Sequence, residues 1–247
     1  MKLLFLDVET SPNQAFVWGL FDQTISLNQI IDTSGVLCFS AKWRGSNEML
    51  FDSVHKSSRK AMLKRIHALL SEADVVATYN GIAFDLPVLN KEFLLAGMTP
   101  PAPFKQVDLL RVARKQFRFT SNKMDHVAQQ LGLGQKAAHE GFKLWVSCMN
   151  GDDAAWKRME KYNKQDVVLL ESIYDKLLPW IKGHPNMGDF SDKAVCTNCG
   201  GEDMQKRGTA VSAAGRYARY QCNGGGTWAR GTTLVKGKNA KRLVEAR

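Results

Sequence analysis

Asp7 and Glu9 stand two positions apart in "LLFLDVETSP", directly behind four apolar residues. In a strand, side chains at i and i+2 project to one face, so these carboxylates would lie together while Leu6 and Val8 turn to the other side. Two adjacent carboxylates repel, and a site that keeps both ionised needs a compensating cation, most simply a divalent metal. The plainer reading is a strand that ends in solvent, with Thr10, Ser11 and Pro12 as its turn.

Two further acidic motifs bear on that choice. In "TYNGIAFDLPVL" a short apolar strand is expected to end at Asn80-Gly81 and a helix to open near Phe84-Asp85. A carboxylate in that position often does no more than complement the helix dipole. In "YNKQD", Tyr162 and Asp166 are four apart on an expected helix and share one face, as residues on many solvated helices do.

Taken in this order, the three motifs resemble those of the DEDD superfamily of 3'-5' exonucleases, a group that includes the proofreading domains of DNA polymerases and several exoribonucleases. The Asp-x-Glu of its opening strand is matched by Asp7 and Glu9, its second acidic motif by Asp85 in "YNGIAFD", and the Tyr-x-x-x-Asp of its tyrosine-using branch by Tyr162 and Asp166. The resemblance covers about residues 1–182, and the stretches "VDLLRVARKQFRF" and "SNKMDHVAQQLGL" look most like ribonuclease-H-like exonucleases that are often phage-borne.

The resemblance implies that Asp7, Glu9, Asp85 and Asp166 hold two Mg²⁺ or Mn²⁺ ions about 4 Å apart, one generating hydroxide and the other stabilising the leaving 3'-oxygen. Hard oxygen ligands are what these ions prefer. Tyr162 would orient the attacking water, or help to deprotonate it, from beside Asp166. By the same resemblance Thr10 would contact the terminal nucleotide, with Asn80 a second candidate contact. Asp108 is expected to cap the helix that follows it rather than to join the metal site. Lys123, Lys136 and His139 are candidates for a phosphate path or ordinary surface residues. Trp145, Trp156 and Trp180 are candidates for base stacking, although their helical neighbourhoods favour core packing.

These carboxylates are far apart in the chain, so a fold must gather them. Strand-like runs come first: "KLLFLDVE", "QAFVWGLF", "GVLCFSAKW" and "EMLFDSV". A helical pattern in "SRKAMLKRIHALLSEA" and a buried strand in "DVVATYNG" follow, and then helices in "FDLPVLNKEFLLAGM", "DLLRVARKQF", "KMDHVAQQLGL" and a long pair in "DDAAWKRMEKYNKQDVVLLESIYDKLLPWI". This order predicts an α/β domain, a ribonuclease-H-like mixed sheet flanked by helices, over residues 1–182. Gly, Pro and Asn cluster in a linker at 183–192, ahead of a small β module at 193–235 and a basic tail at 236–247.

The 247 residues carry a net charge of +10, and residues 191–247 account for +7 of it, with 11 Lys+Arg against 4 Asp+Glu. A local positive excess of this kind points to a polyanionic partner. No apolar run approaches the roughly 20 residues of a membrane-spanning helix, and "MKLLFL" meets an acidic pair too soon for a signal peptide. A cytoplasmic protein is expected. Among the five cysteines, Cys196, Cys199 and Cys222 crowd into the last fifty-odd residues, which fits a metal cluster in a reducing compartment better than a disulfide framework.

That segment resembles a zinc ribbon, with a Cys-x-x-Cys knuckle at Cys196 and Cys199 and a second opened by Cys222. The match breaks at the fourth ligand, because Gly225 stands where the last Cys should be. Structural zinc sites are closed by four protein ligands, so either another group completes the shell, with His184 and Asp203 as candidates, or the module packs without metal. Arg207, Arg216, Arg219, Arg230 and Lys236 alternate with Tyr217, Tyr220 and Trp228, a composition suited to backbone contact and base stacking.

The expected activity is divalent-metal-dependent removal of nucleotides from a 3' end, on single-stranded DNA first and RNA second. An endonuclease with the same metal site, and a nucleic-acid-binding protein on a silent nuclease fold, are the rival readings.

Overall fold

The computed structural model describes residues 1–136 and 140–235, so His139 and Lys236 lie outside the described residues. The chain divides into two compact units, Met1–Lys176 and Leu177–Arg247. The first contains strands β1 (Leu3–Thr10), β2 (Gln14–Ala15), β3 (Ile30–Asp32), β4 (Val36–Trp43) and β5 (Leu50–Ser53), then helix α1 (Arg59–Glu72), β6 (Val75–Thr78), α2 (Asp85–Leu95) and β7 (Lys105–Asp108). It continues through α3 (Leu109–Gln116), α4 (Met124–Gln130), α5 (Phe142–Met149) and α6 (Asp153–Leu177).

Five of these strands make one mixed sheet in the order β5-β4-β1-β6-β7. β1 runs antiparallel to β4 and parallel to β6, so it has a partner on each side. Alternation along β1 sends its side chains to two cores. Leu4, Leu6 and Val8 pack with Met62 and Ile66 of α1 and with Leu89 and Phe93 of α2. Phe5, on the opposite face, meets the Tyr174 ring of α6 edge-on at 5.2 Å. Further along that face, Leu37, Cys38 and Phe51 pack against Leu144 of α5 and Trp156, Met159 and Tyr162 of α6. Burying each such side chain is worth about 1.5–3 kcal/mol, enough to fix the register of β1. Asp7 and Glu9 therefore point, with Phe5, towards α6.

The expected mixed sheet flanked by helices is the architecture found, and three local expectations change. "QAFVWGLF" is not a full strand: only Gln14–Ala15 pairs, with Ile30–Asp32, and Phe16, Trp18, Leu20 and Phe21 are strongly exposed, Trp18 at 99%. An apolar run makes a strand only where a neighbour takes up its backbone groups, and among the described residues no strand pairs with this one beyond Ala15. The long helical pair is one helix of 25 residues, because Ala155, Met159, Tyr162, Asp166, Leu170, Ile173 and Leu177 keep a buried stripe running without a break. β7 and α5 lie where the sequence reading had no element.

In the second unit, β8 (Met204–Ser212), β9 (Gly215–Cys222) and β10 (Trp228–Leu234) form an antiparallel sheet with β9 in the middle. Residues 183–192, expected as a linker, hold a short 3-10 turn at Met187–Phe190, and the Met187 N–H donates to Thr197 O at 2.8 Å. Among the described residues, no helix is long and apolar enough to cross a membrane.

Candidate active site

The ligand oxygens of Asp7, Glu9 and Asp166 all lie within 4.8 Å of one another. β1 supplies the first two from its sheet-centre position, and a bulge between Glu9 and Thr10 ends its regular pairing with β4. α6 supplies the third. Its buried stripe crosses the Phe5 face, so residues one turn apart, Tyr162 and Asp166, are presented to the strand together. Asn163 on the same helix fastens the two elements: its Nδ2 donates to Asp7 Oδ2 at 2.6 Å, and the residue is wholly buried.

Asp85 is the first residue of α2 and is 4% exposed. Its Oδ1 accepts the Val8 N–H at 3.1 Å, which sets it against the β1 backbone between Asp7 and Glu9. It stands outside the tight trio and next to it. The turn leading to α2 is held by Asp108, whose Oδ1 accepts the N–H groups of Leu110 at 3.0 Å and Arg111 at 3.3 Å as the cap of α3. The same carboxylate takes the N–H groups of Asn80 at 3.0 Å and Ile82 at 3.3 Å. Asn80 adopts a left-handed backbone, φ 75°, and a Cβ at Gly81 would fall 2.3 Å from Thr78 Oγ1, so Asn-Gly is what this tight turn demands. Asp108 is thus the expected cap and also the clamp on the Asp85 loop.

Lys136 completes the cluster. Its Nζ donates to Asp166 Oδ2 at 2.5 Å and to the Tyr162 hydroxyl at 3.1 Å. Trp145, expected in the core, instead donates a hydrogen bond to Glu9 and meets the Tyr162 ring edge-on at 5.9 Å. Trp156 is a core residue stacked on His55, whereas Trp180 is 58% exposed, at odds with core packing. Its place in a short 3-10 turn just past α6 takes it off that helix's buried stripe.

Crowding sets the electrostatics. Burial, then the charges of Glu9, Asp85 and Asp166, holds the Asp7 carboxyl well above its ordinary value. Burial and Asp166 push Glu9 up to about 8, with Lys136 and the Trp145 hydrogen bond acting the other way. Burial likewise lifts Asp85 to about 7 against the Val8 N–H. Burial works against the charge of Lys136, and Asp166 with Tyr162 more than offsets it, so the ammonium persists. Buried carboxylates that share a space and resist ionisation are a site that gains from a hard divalent cation, and their all-oxygen donor set suits one. Two hollows flank the cluster. One of about 800 Å³ is bordered by Asp7, Asn80, Arg114, Lys123, Lys136 and Tyr162. The other, about 340 Å³, is bordered by Thr10, Ser11, Phe142 and Trp145.

A sequence model of the RNase H superfamily matches residues 4–178, the span that carries all of these groups. The chain belongs to the RNase H superfamily. Members of this superfamily are generally nucleases that use divalent metals, and the acidic cluster at the centre of the sheet is in keeping with that. Among solved structures, the family B DNA polymerase of the hyperthermophilic archaeon Pyrobaculum calidifontis is similar, with a TM-score of 0.55 and 16% identity. The match covers 72% of this chain and 24% of the polymerase, so the likeness is one of fold and this chain spans about a quarter of that protein's length. No curated protein matches the sequence.

Asn163 escaped the sequence reading of this RNase H superfamily member, and Trp145 was read there only as a stacking or core residue. Asn163 had a signal, since it adjoins Tyr162 and falls on the buried stripe of α6; the contact of Trp145 with Glu9 had none, because the course of α5 along the sheet was not anticipated. In the second unit the cysteine trio assembles, with all three sulfurs within 4.8 Å. Neither proposed fourth ligand, His184 or Asp203, falls within that 4.8 Å group. The aromatic and cationic residues of the sheet pair with each other, Arg219 lying 4.8 Å over Trp228 and Arg230 4.1 Å over Tyr217.

Proposed function

We propose that the protein is a 3'-5' exonuclease of the DEDD type, in its tyrosine-using branch, acting on single-stranded DNA. The observation that carries this reading is the meeting of Asp7, Glu9 and Asp166 oxygens within 4.8 Å, with Asp85 against the intervening backbone and Tyr162 one turn from Asp166. Asp7, Glu9, Asp85 and Asp166 would hold two Mg²⁺ or Mn²⁺ ions. Such ions, when bound, supply Lewis acidity at the phosphoryl group and lower the pKa of the attacking water.

The remaining work belongs to the chain's own side chains. Lys136, fixed on Asp166 and Tyr162, places a permanent positive charge beside the reacting phosphate and holds the Tyr162 hydroxyl in one orientation, from which it positions water. Arg114 and Lys123 line the larger hollow and attract the phosphodiester backbone. Thr10 borders the smaller hollow and Asn80 the larger, so both are at hand for the terminal nucleotides. DNA is favoured over RNA because the solved relative is a DNA polymerase. Paired Arg and aromatic side chains on β9 and β10 suit backbone contact and base stacking by the second unit.

A time course on matched 5'-labelled DNA and RNA oligonucleotides, with Mg²⁺, Mn²⁺ or chelator and an Asp7→Ala control, tests the proposal. Stepwise shortening from the 3' end, dependent on metal and lost in the variant, is the expected result. A single internal cut would instead assign an endonuclease, and metal-independent binding without cleavage a silent fold.

A further inference from the structure

The second unit contains two turns built to one plan. In the first, the Cys196 N–H donates to Gly201 O at 2.8 Å, the Gly200 N–H donates to Cys196 O at 3.0 Å, and Gly200 is left-handed at φ 75°. In the second, the Cys222 N–H donates to Thr227 O at 2.9 Å, the Gly226 N–H donates to Cys222 O at 2.8 Å, and Gly226 is left-handed at φ 73°. Residue for residue, Cys196 corresponds to Cys222 and Cys199 to Gly225. The second turn has kept the backbone of a metal knuckle without its last ligand.

The sulfurs are spaced for a shared ion. Cys199 Sγ and Cys222 Sγ are 3.6 Å apart, and tetrahedral zinc with Zn–S bonds of about 2.3 Å sets its sulfurs roughly 3.8 Å from each other. A disulfide would need about 2.05 Å, and all three cysteines are free. The Gly201 N–H also donates to Cys199 Sγ at 3.4 Å, support that a thiolate uses. The fourth side is lined by glycine: a Cβ at Gly225 would stand 3.9 Å from Cys199 Sγ, and one at Gly224 3.9 Å from Cys222 Sγ, both ordinary contacts that leave room.

We propose that Cys196, Cys199 and Cys222 form a three-thiolate zinc site whose fourth position, vacated at Gly225, is open to a small exogenous donor such as water, imidazole or cyanide. Structural zinc sites are closed by four protein ligands, whereas an open position is the mark of sites that exchange ligands. This unit would have the framework of the former and the access of the latter. The proposal is independent of the nuclease reading, since it uses none of the carboxylates.

Co²⁺ titration of the full chain tests it, because thiolate-to-cobalt charge-transfer absorption reports cysteine ligation and is silent for the carboxylate cluster. One thiolate-bound ion per chain is expected, with d–d bands that shift on adding imidazole or cyanide. Cys199→Ser should abolish the charge-transfer signal. Gly225→Cys should intensify it, remove the response to added donors and tighten binding by more than roughly tenfold, since even outer-shell groups are worth that much to a metal site. Absence of the signal in the wild type, with Cys199 and Cys222 recovered as a disulfide or freely alkylated, would overturn the site. A wild-type spectrum indifferent to added donors would overturn the open position.

Discussion

Replacing Glu9 by Gln should stabilise the metal-free protein, and the size of the gain should depend on pH. In the fold Glu9 is pushed from its ordinary 4.5 to about 8 by burial and Asp166, and Asp85 from 3.8 to about 7 chiefly by burial. Below the unfolded values both groups are protonated in either state, and the fold carries no penalty. As pH rises past about 4.5 the unfolded chain releases its protons while the fold must retain them, so stability falls until the folded values are passed. At 1.36 kcal/mol per unit, Glu9 alone corresponds to a loss of order 5 kcal/mol by pH 8. The carboxylates share one another's repulsion, so the gain from a single neutral replacement is better taken as about 2–3 kcal/mol, or roughly 5–10 °C in melting temperature for a chain of this size. Gln keeps an oxygen for the Trp145 hydrogen bond. Calorimetry in chelator at pH 5, 6, 7 and 8 should find Glu9→Gln melting higher than wild type at pH 8 and alike at pH 5, and added Mg²⁺ should raise wild type more than the variant. A wild-type melting temperature that is flat from pH 5 to 8, or a variant that melts lower at pH 8, would refute the electrostatic reasoning.

Three other perturbations follow from particular contacts. Asn163→Ala removes the donor that fixes Asp7, and should lower metal-dependent turnover by about 10–100-fold, measured with the Mg²⁺ concentration varied to separate affinity from rate. Tyr162→Phe keeps the ring against Trp145 and deletes the hydroxyl held by Lys136; kcat should fall by roughly 10²-fold with melting unchanged, and an unaltered kcat would remove Tyr162 from the chemistry. Asp108→Ala orphans four N–H groups at the α3 cap and the Asn80 turn and should cost about 3 kcal/mol, seen as a lower denaturation midpoint, with Asp108→Asn recovering part of it.

The legible parts of this molecule were those written in local spacing. The i, i+2 pair Asp7 and Glu9, the Asn-Gly turn before Asp85 and the i, i+4 pair Tyr162 and Asp166 each have geometry fixed by strand, turn or helix. What remained hidden depends on contacts between distant segments. The hydrogen bond of Trp145 to Glu9 requires α5 to lie along the sheet, and nothing within "GFKLWVSCMN" specifies that. The grip of Lys136 on Asp166 spans 30 positions. Apolar content alone misled at "QAFVWGLF", where no neighbouring strand was available to accept it. The cysteines show both sides: their spacing announced a knuckle and placed Gly225 at its missing ligand, while the matching hydrogen bonds and left-handed glycines of the two turns appear only in the backbone.

The exposed run around Phe16, Trp18, Leu20 and Phe21 has a practical consequence at the bench. A preparation of a +10 chain is commonly stripped of co-purifying polyanions by raising the ionic strength. Strongly excluded salts such as sulfate make bare hydrocarbon surface more adhesive under the same conditions, so washing with ammonium sulfate should drive molecules to clump through this hairpin. Chloride washes, or a polar replacement at Trp18, should keep the sample monodisperse in light scattering.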